Sequence, residues 1–272
     1  MIRIGLSSSA FLTLGARDVI AAAAESGVDA IEWAGGIHIP QGDTEAASGA
    51  MMGTLRAGLT TASYAPLYRA EPGGELGLRF ESVLETALRL QAPIVRIFFG
   101  GDSAACRERE GRALLAAEAR RLGDRAARQG VTVCLSLGRN TCMDRYRSAI
   151  ELVAEIDHPF VRLAWEALPG GAAGECSSAL EEAGSSVAML LVRRIARDGS
   201  VGSLREEEAD WRRRLAAFKK AESDPKMGRF VVIGAVSAGA GNGLDAVIPA
   251  LAEDAALVRR LVKELEARPR SG

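Results

Sequence analysis

Apolar, β-branched runs alternate with longer stretches of helical spacing almost from one end of the chain to the other. The runs lie at 2–6 (IRIGL), 28–33 (VDAIEW), 59–64 (LTTASY), 93–99 (PIVRIFF), 131–137 (VTVCLSL), 160–165 (FVRLAW), 187–195 (VAMLLVRRI) and 230–236 (FVVIGAV). Short apolar strands separated by helical segments predict a parallel sheet, because each helix carries the chain back before the next strand pairs in the same direction. Between the runs, Phe80, Val83, Leu84, Ala87, Leu88 and Gln91 form one i, i+3, i+4 stripe. Val247, Ile248, Leu251, Leu257, Val258, Leu261 and Leu265 form a longer one near the C-terminus, and both stripes predict helices packed on a sheet. Gly27 in ESGVDA and Gly130 in ARQGVTV precede strands directly, where a glycine takes the left-handed turn that stops a helix.

Eight strand–helix units in 272 residues match a (β/α)8 TIM barrel in number, length and order, an α/β fold in a single domain. An open doubly wound sheet, the alternative, usually has fewer strands. The barrel is expected over 1–268, with 269–272 as a disordered tail and no interdomain linker.

Composition narrows the function classes. With 48% apolar residues, 25% charged residues and a formal net charge of -1, the chain buries a large core and lacks the excess positive charge of a nucleic-acid binder. The basic run WRRRLAAFKK (211–220) carries apolar residues at helical spacing and reads as a solvated helix face. The N-terminal MIRIGLSSS has no signal-peptide core, and no apolar run approaches the roughly 20 residues of a membrane span. The expectation is a cytoplasmic protein with neither a membrane nor a nucleic-acid partner; a homo-oligomer is compatible with the sequence. Cys106, Cys134, Cys142 and Cys176 form no C-x-x-C pair and read as reduced thiols, Cys134 as a small buried hydrophobe.

Chemistry in such a barrel sits where strands end and βα loops begin. In GVDAIEWAGGIHIPQGD (27–43), Glu32 and Trp33 close the second strand and His38, one of two histidines, lies in its loop. Tyr64, Tyr68 and Arg69 follow the third strand in SYAPLYRAE and either line a pocket for a hydroxylated or anionic ligand or cover the barrel mouth. Arg96, inside the fourth strand, needs a partner if it points inward, and Glu32 and Glu166 are available. Glu166, in LAWEALPGG, ends the sixth strand as the second carboxylate for acid and base work. The segment SAGAGNG (237–243) follows the eighth strand, where these barrels bind phosphate, or is a flexible loop; its glycine spacing is not that of a dinucleotide fold.

GVDAIEWAGGIHIPQGD, APIVRIFFGG and HPFVRLAWEALPG resemble the second, fourth and sixth strand segments of xylose isomerase-like TIM barrels, the sugar phosphate isomerase/epimerase group that also includes endonuclease IV-type enzymes. The resemblance implies a divalent metal (Mn, Zn or Mg) held at the mouth by glutamates, aspartate and histidine, orienting sugar oxygens and stabilising an enediolate. At the matching positions the sequence departs from the pattern. The fifth strand reads Leu135, Ser136, Leu137, Gly138, the seventh has no histidine but Arg193 and Arg194, and the eighth has Gly234 in place of a glutamate. No metal ligand set and no cofactor are therefore expected. Two readings follow. The first is an isomerase or epimerase of a small polyhydroxylated or phosphorylated ligand, either metal-free or with a rearranged site. Glu32, Glu166 and His38 would be its acid and base groups, Trp33, Tyr64 and Tyr68 would line its pocket, and Arg69, Arg96 and Arg194 would supply positive charge. The second is a catalytically inactive ligand-binding or regulatory barrel. An endonuclease reading lacks both its metal cluster and a basic groove.

Overall fold

The apolar runs become eight parallel strands, each followed by a helix, in a computed structural model that describes residues 1–70, 76–100, 108–138, 141–168, 174–195, 199–221, 228–237 and 243–267. The strands are β1 (Ile2–Ser7), β2 (Ala30–Ala34), β3 (Thr60–Ala65), β4 (Ile94–Phe99), β5 (Thr132–Ser136), β6 (Val161–Trp165), β7 (Val187–Val192) and β8 (Arg229–Ile233). The helices are α1 (Ala16–Glu25), α2 (Thr44–Arg56), α3 (Leu76–Arg89), α4 (Arg109–Ala127), α5 (Tyr146–Ile156), α6 (Glu175–Ala183), α7 (Glu208–Lys220) and α8 (Leu244–Ala267). Each strand pairs in parallel with the next, and β8 returns to β1 through Ile2↔Arg229 to Leu6↔Ile233. The sheet is thus a closed single-domain (β/α)8 barrel, and closure removes the unpaired edges of an open sheet.

Expected and observed strands coincide within about two residues except at two C-terminal ends. The run 187–195 splits, because β7 stops at Val192 and Arg194–Ile195 pair instead with Val201–Gly202 in a small antiparallel hairpin. The run 230–236 ends at Ile233, where Gly234 donates its N–H to the Val192 carbonyl. Past its last ladder bond the eighth run still buries Val236, which loop burial explains as well as strand does, whereas the seventh run continues into Arg193, Arg194 and an exposed Ile195.

Alternation divides the side chains into two layers. Leu6, Ile31, Val95, Ile97, Leu135, Leu163, Leu190 and Val231 join the cluster shared with the helices, while Ala30, Ala62, Ile94, Cys134, Ala164, Leu191, Phe230 and Val232 form a second cluster inside the barrel. The helix stripes meet the outer layer. Phe80, Val83, Leu84 and Ala87 are buried, Leu88 is exposed, and Gln91 lies beyond α3 in a left-handed turn. The α8 stripe is buried at Val247, Leu251, Leu257, Val258 and Leu261 and half-buried at Ile248 and Leu265. Gly27 and Gly130 take φ of 76° and 69°, the helix-stopping conformation expected of them.

The basic run in α7 is paired throughout. Arg212 meets Glu208 and Glu264, Arg213 meets Asp210, Lys220 meets Glu181, and Arg214 lies over the Trp211 ring. Cys134 and Cys176 are buried free thiols, as expected. Cys142 is disulfide-bonded, which corrects its reading as a reduced thiol; Cys106 and the 269–272 tail lie outside the described residues. Among the described residues no helix is long and apolar enough to cross a membrane.

Candidate functional site

Below the mouth the barrel is filled by apolar side chains, Phe230 among them, and above them the inward positions turn polar. Ser7 of β1, Glu32 of β2, Ser63 of β3, Arg96 of β4, Ser136 of β5 and Glu166 after β6 are linked there by hydrogen bonds and charge. Arg193, just beyond β7, completes the set.

Glu32 is wholly buried and its carboxylate is saturated. Oε1 accepts from Ser7 Oγ at 2.7 Å and Arg96 Nη2 at 2.8 Å. Oε2 accepts from Ser63 Oγ at 2.7 Å and Arg96 Nε at 2.8 Å. This is a two-pronged guanidinium–carboxylate pair. Burial pushes the Glu32 carboxyl up, but Arg96 and the two hydroxyls outweigh it and hold the group below its ordinary value. Arg96 spends its third nitrogen on Ser136 Oγ at 3.1 Å. Ser63 reaches Glu32 because the β2–β3 register shifts between Ile31 and Glu32.

Glu166 is the other carboxylate of the mouth, and its surroundings act the opposite way. Its Oε2 meets Arg193 Nη2 at 2.6 Å, while Oε1 has no partner among the described residues. Burial raises the Glu166 carboxyl above its ordinary value, and the nearby Arg193 and Arg96 only partly oppose this. The Arg193 side chain is 39% exposed, and its Nε and Nη1 have no partner among the described residues. Two carboxylates in one mouth thus have opposed proton affinities, the pattern that separates a structural anion from a group able to exchange protons.

The structure brings Glu32, Arg96 and Glu166 together, and places the other expected residues elsewhere. Trp33 follows the inward Glu32 and so points outward, wholly buried against the helices, with its indole N–H unpartnered among the described residues. Tyr64 is likewise buried in the outer layer, donating its hydroxyl to the Ile39 carbonyl at 3.0 Å. His38 Nε2 donates to the Leu14 carbonyl at 3.0 Å, and the ring meets Trp33 edge-on at 6.2 Å. A carbonyl only accepts, so Nε2 carries the proton, and burial lowers the affinity of the ring for a second one. His38 therefore ties the loop after β1 to the loop after β2. Tyr68 packs on Phe80 at 5.6 Å, Arg69 donates to the Gly100 carbonyl at 3.1 Å, and Arg194 pairs with Glu206 and Glu207. The last is a displacement by one residue. Counting by twos from the interior Leu191 leads to Arg193, a signal present in the sequence. Most of SAGAGNG lies outside the described residues.

Among the described residues the donors do not fit the divalent metal that the resemblance implies. Among the described residues no group of three or more His, Cys, Asp or Glu comes together to hold one. Ser136 is engaged by Arg96, Gly234 has no side chain, and Arg193 brings a guanidinium against Glu166. Hard cations take several anionic or carbonyl oxygens in tight geometry, and a fixed cation beside the remaining carboxylate repels a second.

The family whose description is "Xylose isomerase-like TIM barrel" matches residues 20–168. Among solved structures, the probable 3-DHS dehydratase AsbF of Bacillus anthracis is 15% identical over 95% of this chain and 99% of its own, with a TM-score of 0.68. The 3-keto-D-glucoside 4-epimerase YcjR of E. coli is 14% identical over 96% and 100%, with a TM-score of 0.67. A D-allulose 3-epimerase of Methylomonas sp. is 17% identical over 97% and 98%, with a TM-score of 0.65. At such identities the likeness establishes the fold. The comparison with curated proteins finds no match.

Proposed function

The chain belongs to the xylose isomerase-like TIM barrel family, and from that premise we propose that it binds a small polyhydroxylated carbonyl compound in the barrel mouth and moves a proton next to the carbonyl, as a sugar isomerase or epimerase does, without a divalent metal. The observation that carries this reading is the Glu166–Arg193 pair: a buried carboxyl with raised proton affinity, whose second oxygen has no partner among the described residues, beside a guanidinium with two nitrogens likewise unpartnered among them. A base is most effective when its proton affinity approaches that of its surroundings at working pH, and burial moves Glu166 that way. Glu166 takes the proton from the carbon next to the carbonyl. The C–H electron pair becomes the new C=C bond, and the carbonyl oxygen takes the negative charge, which Arg193 stabilises by hydrogen bonding. The same carboxyl then returns the proton to the adjacent carbon while the hydroxyl proton crosses between the two oxygens. Glu32, with all its acceptor positions filled, is assigned to holding Arg96 and the mouth in shape.

Deuterium incorporation tests this. The protein is incubated in D2O with aldoses, ketoses and their phosphates, and the carbon next to the carbonyl is followed by NMR. Exchange that falls about 10²–10⁴-fold in Glu166→Gln supports the reading, and exchange indifferent to that substitution overturns it. A second reading, a barrel that binds without turnover, is favoured by the 2.6 Å contact of Glu166 with Arg193, which has to loosen for catalysis. Saturable binding with no exchange across the panel would establish it.

A further inference from the structure

On β4 two consecutive phenylalanines have opposite fates. Phe99 is wholly buried in the outer layer with Val95 and Ile97, whereas Phe98 is 38% exposed. Alternation puts Phe98 on the inward face with Ile94 of the interior cluster and Arg96 of the mouth network. Its exposed area therefore opens into the mouth. The backbone just after β5 flanks the ring on one side, since a Cβ on Gly138 would stand 3.4 Å from Phe98 Cε1. Four strands on, across the barrel, Gly234 follows the end of β8 at Ile233. A Cβ there would meet the Arg193 Cδ at 3.8 Å and the Leu191 Cδ2 at 3.9 Å, so on this side of the mouth the backbone carries no side chain beside Arg193.

We infer that Phe98 is a stacking platform and that the mouth takes a ring-form ligand, a cyclic polyol or cyclic keto-polyol whose apolar C–H face lies on the phenyl ring while its polar edge reaches Glu166 and Arg193. The inference rests on the mouth being the binding site proposed above and deepens it by naming the shape of the ligand. An aromatic face rewards a flat, pre-organised array of C–H groups. An acyclic sugar has no such face and loses rotor freedom on binding. An inward polar position would serve an acyclic row of hydroxyls better than an exposed phenyl, whose uncovered area is unfavourable until something apolar covers it.

Saturation-transfer NMR on the full-length protein with methyl α-D-glucopyranoside, a cyclohexane polyol and the acyclic polyol D-glucitol tests the inference. The ring compounds should bind about three- to tenfold better than glucitol, the fold-change equivalent to one aromatic contact. Phe98→Leu, which keeps apolar bulk and fold, should abolish that preference, and Phe98→Trp should retain it with a ligand-dependent change in tryptophan fluorescence. Equal binding of ring and acyclic probes, or an unchanged preference in Phe98→Leu, overturns the inference. Ring binding that depends on Phe98 without deuterium exchange supports the platform and defeats the proton-transfer reading. Exchange on acyclic sugars that depends on Glu166 and ignores Phe98 does the reverse.

Discussion

Glu32→Gln separates a structural carboxylate from a catalytic one. Glu32 has no exposed surface and accepts four hydrogen bonds, two of them from Arg96. The substitution keeps the shape and removes the charge, leaving the guanidinium of Arg96, whose side chain is 11% exposed, without its counter-ion. Breaking a buried pair from one side costs about 3–5 kcal/mol, whereas replacing both partners by apolar groups is often neutral. For a domain of this size each kcal/mol moves Tm by about 2–4 °C, so a drop of roughly 6–20 °C is expected. Glu32→Leu/Arg96→Met should recover most of it. The sign with pH follows from the lowered carboxyl: its contribution is complete above the ordinary value of 4.5 and is lost as pH falls through the lower folded value. The gap between wild type and Glu32→Gln should therefore close on acidification. Urea unfolding at several pH values measures this, with an unchanged m-value as the check on two-state behaviour. A loss under about 1 kcal/mol with proton exchange reduced more than a hundredfold would refute the structural assignment and return Glu32 to the chemistry.

Glu166→Gln should show the opposite pH dependence. The folded Glu166 carboxyl is raised above 4.5, so its contribution is complete below that value and is lost as pH rises through the folded value; relative to the variant, wild type should weaken on alkalinisation in urea titrations. Chelator-stripped protein should unfold at the same temperature with or without Mn, Zn or Mg. A specific ion at a hundred times its Kd adds about 2.7 kcal/mol, or roughly 5–10 °C, and a rise of that size in calorimetry would return the metal to the site. Cys134 is buried and its thiol is pushed up to about 12, so native protein at pH 8 should leave it unlabelled by iodoacetamide in mass spectrometry until denaturant is added. His38→Ala should lower Tm by about 2–4 °C through one lost hydrogen bond while leaving deuterium exchange intact; abolished exchange would put His38 in the mechanism.

The eight units and their order were legible because helical and strand periods differ and each βα unit repeats the contrast. Ring closure was inferred from the count alone, and β8 pairing with β1 joins Ile2–Leu6 to Arg229–Ile233, segments far apart in sequence. The site was legible only in part. Glu32 and Glu166 were found from their place at strand ends and Arg96 from the partner that an inward charge inside a strand needs, but nearness in sequence also drew in Trp33, which the pleat turns to the opposite face from its neighbour Glu32.

What the sequence determined by itself is thus periodic and local: strand and helix alternation, glycine stops at Gly27 and Gly130, and the lack of carboxylates at Ser136 and Gly234. What the tertiary structure decided is which charges face one another. Glu32 and Arg96 lie 64 residues apart, and their pairing fixes which carboxylate is saturated and which is left to Arg193. Alternation from Leu191 allows Arg193 to face inward, but that it meets Glu166, while Arg194 turns into the hairpin and pairs with Glu206 and Glu207, was settled only by the folded chain. Proton affinities depend on burial and on distances across the barrel, and neither quantity exists until the ring has closed.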